Sequence, residues 1–262
     1  MSSPRTSFEP RVPLVLAEEA VDYALLRDHV TQARLRVELS LRPVAQRYAT
    51  SLDLNEGVPS LAIATALERT LYVNLVRTLV FGYQTVVQEL AVLRALRGDR
   101  PTLIADEFAS VPEAAGPVLR SITLRARGRF IRLMEQAWAA LRDDEARARA
   151  LRDRGLRAAH IIGIEFVSRT LNAGRSLGAL GKRPVIHATA PALFAMRSEQ
   201  LDANTCDACD SLHGMIAQVP SDRYYLLLPP NGCITATIPD IGPRCRGVMV
   251  YGDSLDDFLR GG

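Results

Sequence analysis

The sequence predicts a mainly α protein: a body of long bundled helices, then a small α+β, cysteine-rich module of zinc-ribbon type. Three observations predict it. Apolar residues recur at three- and four-residue spacing from about Leu14 to Gly181. Runs that look like strands appear only late, and all four cysteines lie between Cys206 and Cys245. The expected organisation is an extended arm over residues 1–13, a helical body over 14–183, and a cysteine-bearing module over 184–262.

The arm contains Pro4, Pro10 and Pro13, which fix φ and withhold backbone donors. Leu25, Leu26, Val30, Ala33, Leu35 and Leu39 then set a helical period. A break is expected at Arg42-Pro43, because a residue before proline is pushed out of the α region. "DLNEGVPS" (53–60) reads as a turn, with Ser60 placed to cap the next helix. Residues 61–96 are apolar on more than one side, as in a helix buried in a core or contact. Gly98 and Pro101 end it. Helical pattern resumes after the loop near 110–117 and closes at Gly155. A further helix covers 156–181. Strands are expected at 215–219, 224–228 and 248–251, each short, apolar and bounded by Pro, Gly or Asp.

With 262 residues, 48% of them hydrophobic and 23% charged, the chain can bury a sizeable core. No run reaches the roughly 18 apolar residues of a membrane span. No secretory signal is expected at the N-terminus, so a membrane partner is not expected either. The net charge of +3 is unevenly spread. Residues 117–183 carry 15 basic and 6 acidic side chains, whereas residues 202–262 carry 4 and 8. A basic middle suits double-stranded DNA or an acidic protein surface, and equally a solvated arginine-rich face. Arg125, Arg127, Arg129 and Arg132 are its densest cluster.

The cysteines follow the pattern Cys206-x2-Cys209-x23-Cys233-x11-Cys245. Two thiolates from a C-x-x-C turn and two from a second loop make the tetrahedron that structural zinc favours. Asn231-Gly232 and Gly242-Pro243 bend the chain just before Cys233 and Cys245. His213 offers an alternative donor. Spacing alone leaves open two disulfides, or thiols buried as small hydrophobes. No nucleophile elbow, phosphate-binding loop or dinucleotide fingerprint occurs, so catalysis is not expected.

The combined order of "EFVSRTLNAGR" (165–175), "DANTCDACDSLHG" (202–214), "LPP" (228–230) and "GPRCRG" (242–247) is more specific than any part. It resembles the phage Mu F-like minor head proteins, the phage head morphogenesis family. The matching positions are Glu165, Asn172, Gly174, Arg175, Asp202, Thr205, Cys206, Cys209, Leu212, Gly214, Pro229, Pro230, Pro243, Cys245 and Arg246. The family's last cysteine is Gly247 here and its histidine is Gly242, while Cys233 stands in an apparent insertion and would supply the missing thiol.

The resemblance covers the span from near Ala158 to near Tyr251. It implies a minor structural and assembly protein of a tailed-phage head, made in the host cytoplasm. It would sit in the virion near the portal vertex, in a few copies, touching the portal protein, neighbouring head proteins and packaged DNA. It also implies that the helix face bearing Glu165, Arg169, Asn172 and Arg175 docks the cysteine module or a partner. The bland counterpart is a surface Glu–Arg pair worth about 0.3–0.5 kcal/mol. Gly174 is expected to end or bend its helix. The alternative function is a free zinc-ribbon protein that binds nucleic acid.

Overall fold

Four long helices make the body: α1 (Tyr23–Leu54), α2 (Leu61–Leu96), α3 (Ala115–Leu141) and α4 (Arg147–Gly181). A small region follows, with β1 (Leu193–Ser198), α5 (Asp207–Leu212), β2 (Ile216–Val219), α6 (Asp222–Leu227) and β3 (Val248–Gly252), then a 3-10 turn at Leu255–Asp257. The computed structural model describes residues 17, 20–96, 115–141, 146–181, 193–198, 207–228 and 247–258. The expected arm (1–13) and the helix end at Gly98 and Pro101 lie outside the described residues.

The helix ends follow local chemistry. Asp22 caps α1 by accepting the Leu25 amide proton at 2.8 Å. After α1 the chain reverses through Gly57, whose φ of +93° is open to glycine. A Cβ there would also fall 2.4 Å from the Trp138 indole nitrogen. Ser60 precedes α2, and its carbonyl accepts the amides of Ile63 and Ala64 at 3.1 Å.

The expected break at Pro43 does not occur, for α1 runs through it. Pro43 is exposed, so the carbonyl that loses its donor faces water and the ring displaces nothing packed. Gly155 does not close a helix either. It is buried inside α4, where a Cβ would sit 3.1 Å from the Ala45 carbonyl of α1. Leu25, Leu35 and Leu39 fit the helical period but point outward, while Leu26 and Ala33 are buried.

α1 and α2 pack against each other and are linked by a Ser40–Asn74 hydrogen bond (3.4 Å). α4 packs against all three other helices. The body's core joins Leu41, Tyr48, Leu71, Phe130, Met134 and Ile162, with Tyr48 edge-on to Phe130 at 5.4 Å between ring centres.

The sheet has the order β2-β1-β3, antiparallel throughout. Leu193 pairs with Val219 on one side, and Arg197 pairs with Met249 on the other. Both faces are buried. Leu193, Ala195, Met249 and Tyr251 pack on Val86, Leu90 and Ala179 of the body. Met196, Val248 and Val250 pack with Ala17, Leu26, Leu171 and Phe258. The strand region thus shares two cores with the helices rather than hanging from them.

Two strand expectations need correction. Residues 224–228 belong to no strand, because Tyr224–Leu227 complete α6. Ser221 caps this helix by accepting the Tyr224 amide at 3.1 Å, and Tyr224 and Leu227 face inward together. β1 was not expected. Its second half carries Arg197 and Ser198, both buried, which hide its apolar run.

Candidate functional site: a clamp on the edge strand

β3 is an edge of the three-stranded sheet, so one side of its backbone has no strand partner among the described residues. Side chains of α4 take that role. Asn172 presents its amide like a short piece of strand. Its Nδ2 donates to the Gly247 carbonyl (3.2 Å), and its Oδ1 accepts the Met249 amide proton (3.0 Å). One turn on, Arg175 donates to the Met249 carbonyl through Nε (3.1 Å) and Nη2 (2.9 Å). The outward-facing polar groups of Gly247 and Met249 are therefore satisfied by a helix.

Arg175 is fully buried. Its fork meets Glu89 of α2 in a bidentate pair, with Nη1 to Oε1 at 2.7 Å and Nη2 to Oε2 at 2.5 Å. Thr85 Oγ1 accepts a further bond from Nη1 at 3.3 Å. Burial opposes the arginine's charge, but the Glu89 carboxylate outweighs it and holds the guanidinium pKa above its usual value. Burial pushes the Glu89 carboxyl up, against the pull of Arg175. A guanidinium keeps its proton at any ordinary pH, so Arg175 stays charged.

Beside this pair lies a triangle of hydroxyls. Tyr251 bonds to both Ser176 and Tyr224 at 3.0 Å, Ser176 also bonds to Tyr224, and Ser176 donates to the Asn172 carbonyl at 2.9 Å. Burial raises both phenols, Tyr251 well above its usual range, so each stays a neutral donor. These groups spend their hydrogen bonds on one another. What the arrangement does chemically is hold a strand.

Close helix contact sets the clamp's geometry. Gly174 does not end its helix, because α4 continues seven residues beyond it to Gly181. A Cβ on Gly174 would lie 2.0 Å from the Leu79 carbonyl, and one on Gly82 2.3 Å from the Leu171 carbonyl. Two glycines let the α2 and α4 backbones touch, which brings Glu89 within reach of Arg175.

The other sequence-chosen residues lie elsewhere. Glu165 sits between Arg129 of α3 (3.7 Å) and Arg169 of its own helix (3.6 Å), so these three tie α3 to α4 and do not meet the sheet. Arg127 pairs with Glu68 of α2 at 2.7 Å. Arg125 and Arg132 are exposed on the outer side of α3. Sequence reasoning missed Glu89, Arg197, Tyr224 and Tyr251. Glu89 carried a usable signal, being a carboxylate inside the long apolar run of α2.

Of the four cysteines, Cys209 falls within the described residues; Cys206, Cys233 and Cys245 lie outside them, as do Asp202, Thr205, Pro229, Pro230, Pro243 and Arg246. Cys209 is buried in α5, and its Sγ accepts from Nη2 of Arg197 at 3.7 Å. Arg197 is itself fully buried and donates to the Leu227 carbonyl at 3.2 Å. Among the described residues, no three His, Cys, Asp or Glu side chains group to hold a metal.

Fold and site together define a helical body that grips a small sheet by its open edge. Comparison with protein-family models, with curated proteins and with solved structures finds no match to this chain. Among the described residues, no helix is long and apolar enough to cross a membrane.

Proposed function

We propose that this chain is a minor head structural and assembly protein of a tailed phage. In this reading it sits at the portal vertex of the virion, in a few copies, against the portal protein, its head neighbours and packaged double-stranded DNA. The observation that carries the reading is the ordered motif from Glu165 to Arg246 and its resemblance to the head morphogenesis family. The geometry supports it in one respect. Asn172, Gly174 and Arg175, three positions of that motif, meet where α4 joins α2 and β3, so the motif has a mechanical reason to exist. The chemistry is cohesion, not turnover: a rigid body presents surfaces while the clamp fixes the cysteine region against it.

Zinc belongs to the same reading, with Cys206, Cys209, Cys233 and Cys245 as its ligands. Bound there, the ion would tie the C-x-x-C pair to the two later cysteines. Metal analysis of the purified chain should find about one zinc per molecule, lost in Cys209→Ser and in Cys233→Ser.

The deciding experiment uses particles. Mass spectrometry of purified heads should find the chain, and co-expression with the portal protein should yield a complex of the two. Heads that lack the chain would end the proposal. If instead the isolated chain binds duplex DNA with a steep salt dependence and ignores the portal, the nucleic-acid-binding alternative takes its place.

A further inference from the structure

The sheet has two edges, and the body closes one of them. On β3, the outward groups of Gly247 and Met249 are taken by Asn172 and Arg175. β2 is the other edge. Its phase is fixed at its start, where the Arg197 amide donates to the Met215 carbonyl (3.1 Å) and the Gly214 amide to the Arg197 carbonyl (2.9 Å). Bonded pairs recur at every second residue of an antiparallel ladder, so Ala217 and Val219 turn their N–H and C=O groups to β1. Ile216 and Gln218 turn theirs outward. The Gln218 carbonyl accepts the Ser221 hydroxyl at 2.7 Å and keeps a second lone pair. Among the described residues, the Gln218 amide and both backbone groups of Ile216 have no partner. No charge guards this edge, for residues 214–221 carry none. Met215 precedes β2, while Tyr225 and Leu226 belong to α6, which packs against it. All three are exposed, Leu226 by 71%.

We infer that β2 pairs with β2 of a second copy of this chain, antiparallel about a two-fold axis at Ala217, so that the two sheets become one. A row of unpaired N–H and C=O groups names the class of its occupant, because another extended backbone is what matches it. Three features single out a second copy. The outward groups lie symmetrically about Ala217, so Ile216 of one copy stands opposite Gln218 of the other, each amide facing a carbonyl. With no charge over 214–221, identical edges meet without repulsion. The same register sets the exposed Met215 of one copy opposite Val219 of the other, and the exposed Tyr225 and Leu226 border the joint on each copy. The inference concerns the free chain in solution and holds or fails independently of the head-assembly reading.

The test is sedimentation of the full chain from about 5 to 500 µM, with a monomer–dimer Kd on the order of 10 µM expected for so small a contact. Gln218→Pro removes an outward N–H and leaves those that face β1, a place where edge strands tolerate proline. It should raise Kd about tenfold or more. Leu226→Glu, at an exposed site, should raise it as well by setting like charges at the joint. Hydrogen exchange supplies the second reading. The Ile216 and Gln218 amides should slow about fivefold from the lowest to the highest concentration, while those of Ala217 and Val219 stay unchanged. Protection of the latter two in each variant shows that the sheet is folded. A chain still monomeric at the highest concentration, or a dimer indifferent to both substitutions, would overturn the inference. So would Ile216 and Gln218 amides that are slow at every concentration, since the chain's own residues would then cover the edge. Protection that appears only on adding portal protein would hand the edge to that partner and equally end the inference.

Discussion

The guanidinium of Arg175 on α4 takes both carboxylate oxygens of Glu89 on α2, at 2.7 and 2.5 Å, with no solvent exposure left on the arginine. The same group holds the Met249 carbonyl, so one side chain joins two helices and a strand. Breaking such a pair from one side strands a buried charge. Glu89→Gln should therefore cost about 3–5 kcal/mol in urea unfolding. Glu89→Leu combined with Arg175→Met should recover part of that loss. Full recovery is not expected, because the Met249 carbonyl would still lose both donors, at about 1–3 kcal/mol. Equal losses in the single and double variants would show that the pair is not coupled as described.

Asn172 tests the strand mimicry separately from the charge. Asn172→Leu keeps the volume but removes a donor and an acceptor from the edge of β3. The Met249 amide proton should then exchange with solvent much faster, by about tenfold or more, while core amides of α4 such as Ile162 keep their protection. Asn172→Asp is expected to be worse at neutral pH, since a carboxylate oxygen would face the Gly247 carbonyl where Nδ2 now donates. Unchanged Met249 exchange in both variants would remove the strand-like role.

How much of this was readable in advance depends on whether a signal was local. The four long helices were legible because their apolar period is, yet the punctuation inside them misled. Pro43 and Gly155 look like stops, but the first faces water and the second makes room for the Ala45 carbonyl. Tyr224 to Leu228 has the composition of a strand, and Ser221-Asp222 just before it outweighed that by capping a helix. β1 stayed hidden because Arg197 and Ser198 are buried for reasons set by distant residues.

The clamp was half legible for the same cause. Asn172 and Arg175 could be picked as neighbours on one helix face, but their partners lie 74 to 86 residues away. Nothing local in α2 says that Glu89 will be the arginine's counter-ion.

Gly174 makes a sharper prediction than its helix propensity would. Elsewhere in a helix, Gly→Ala gains about 0.5–1 kcal/mol from backbone entropy. At Gly174 the new methyl would lie 2.0 Å from the Leu79 carbonyl, a fixed backbone atom, so the helices must move apart. Gly174→Ala should destabilise by about 1–3 kcal/mol or more. It should also weaken the Arg175–Glu89 coupling in a double-mutant cycle, since the same approach sets both. Gly116→Ala, at a site with nothing within 4 Å, is the control, and it should be neutral or mildly stabilising. A stabilised Gly174→Ala would mean that the backbones do not touch there.

His29 gives the protein an acid limit that can be located in advance. Its ring stacks face to face on Phe81, with centres 3.5 Å apart and planes 2° from parallel. Among the described residues, its Nε2 is buried without a hydrogen-bond partner. Burial, and after it the charge of Arg36, lowers its pKa to about 4. The unfolded chain, with an ordinary histidine near 6.5, therefore takes up its proton first as pH falls. This stability is fully present above pH 6.5 and drains away as the pH drops through 4. The half-buried ring is partly screened by solvent, so the contribution is about 1–2 kcal/mol. His29→Phe keeps an aromatic stack and has nothing to titrate. Thermal melts between pH 7.5 and 4.5 should show a smaller fall in Tm for His29→Phe than for the parent, with little difference at pH 7.5. Parallel curves for the two proteins would place the acid sensitivity elsewhere.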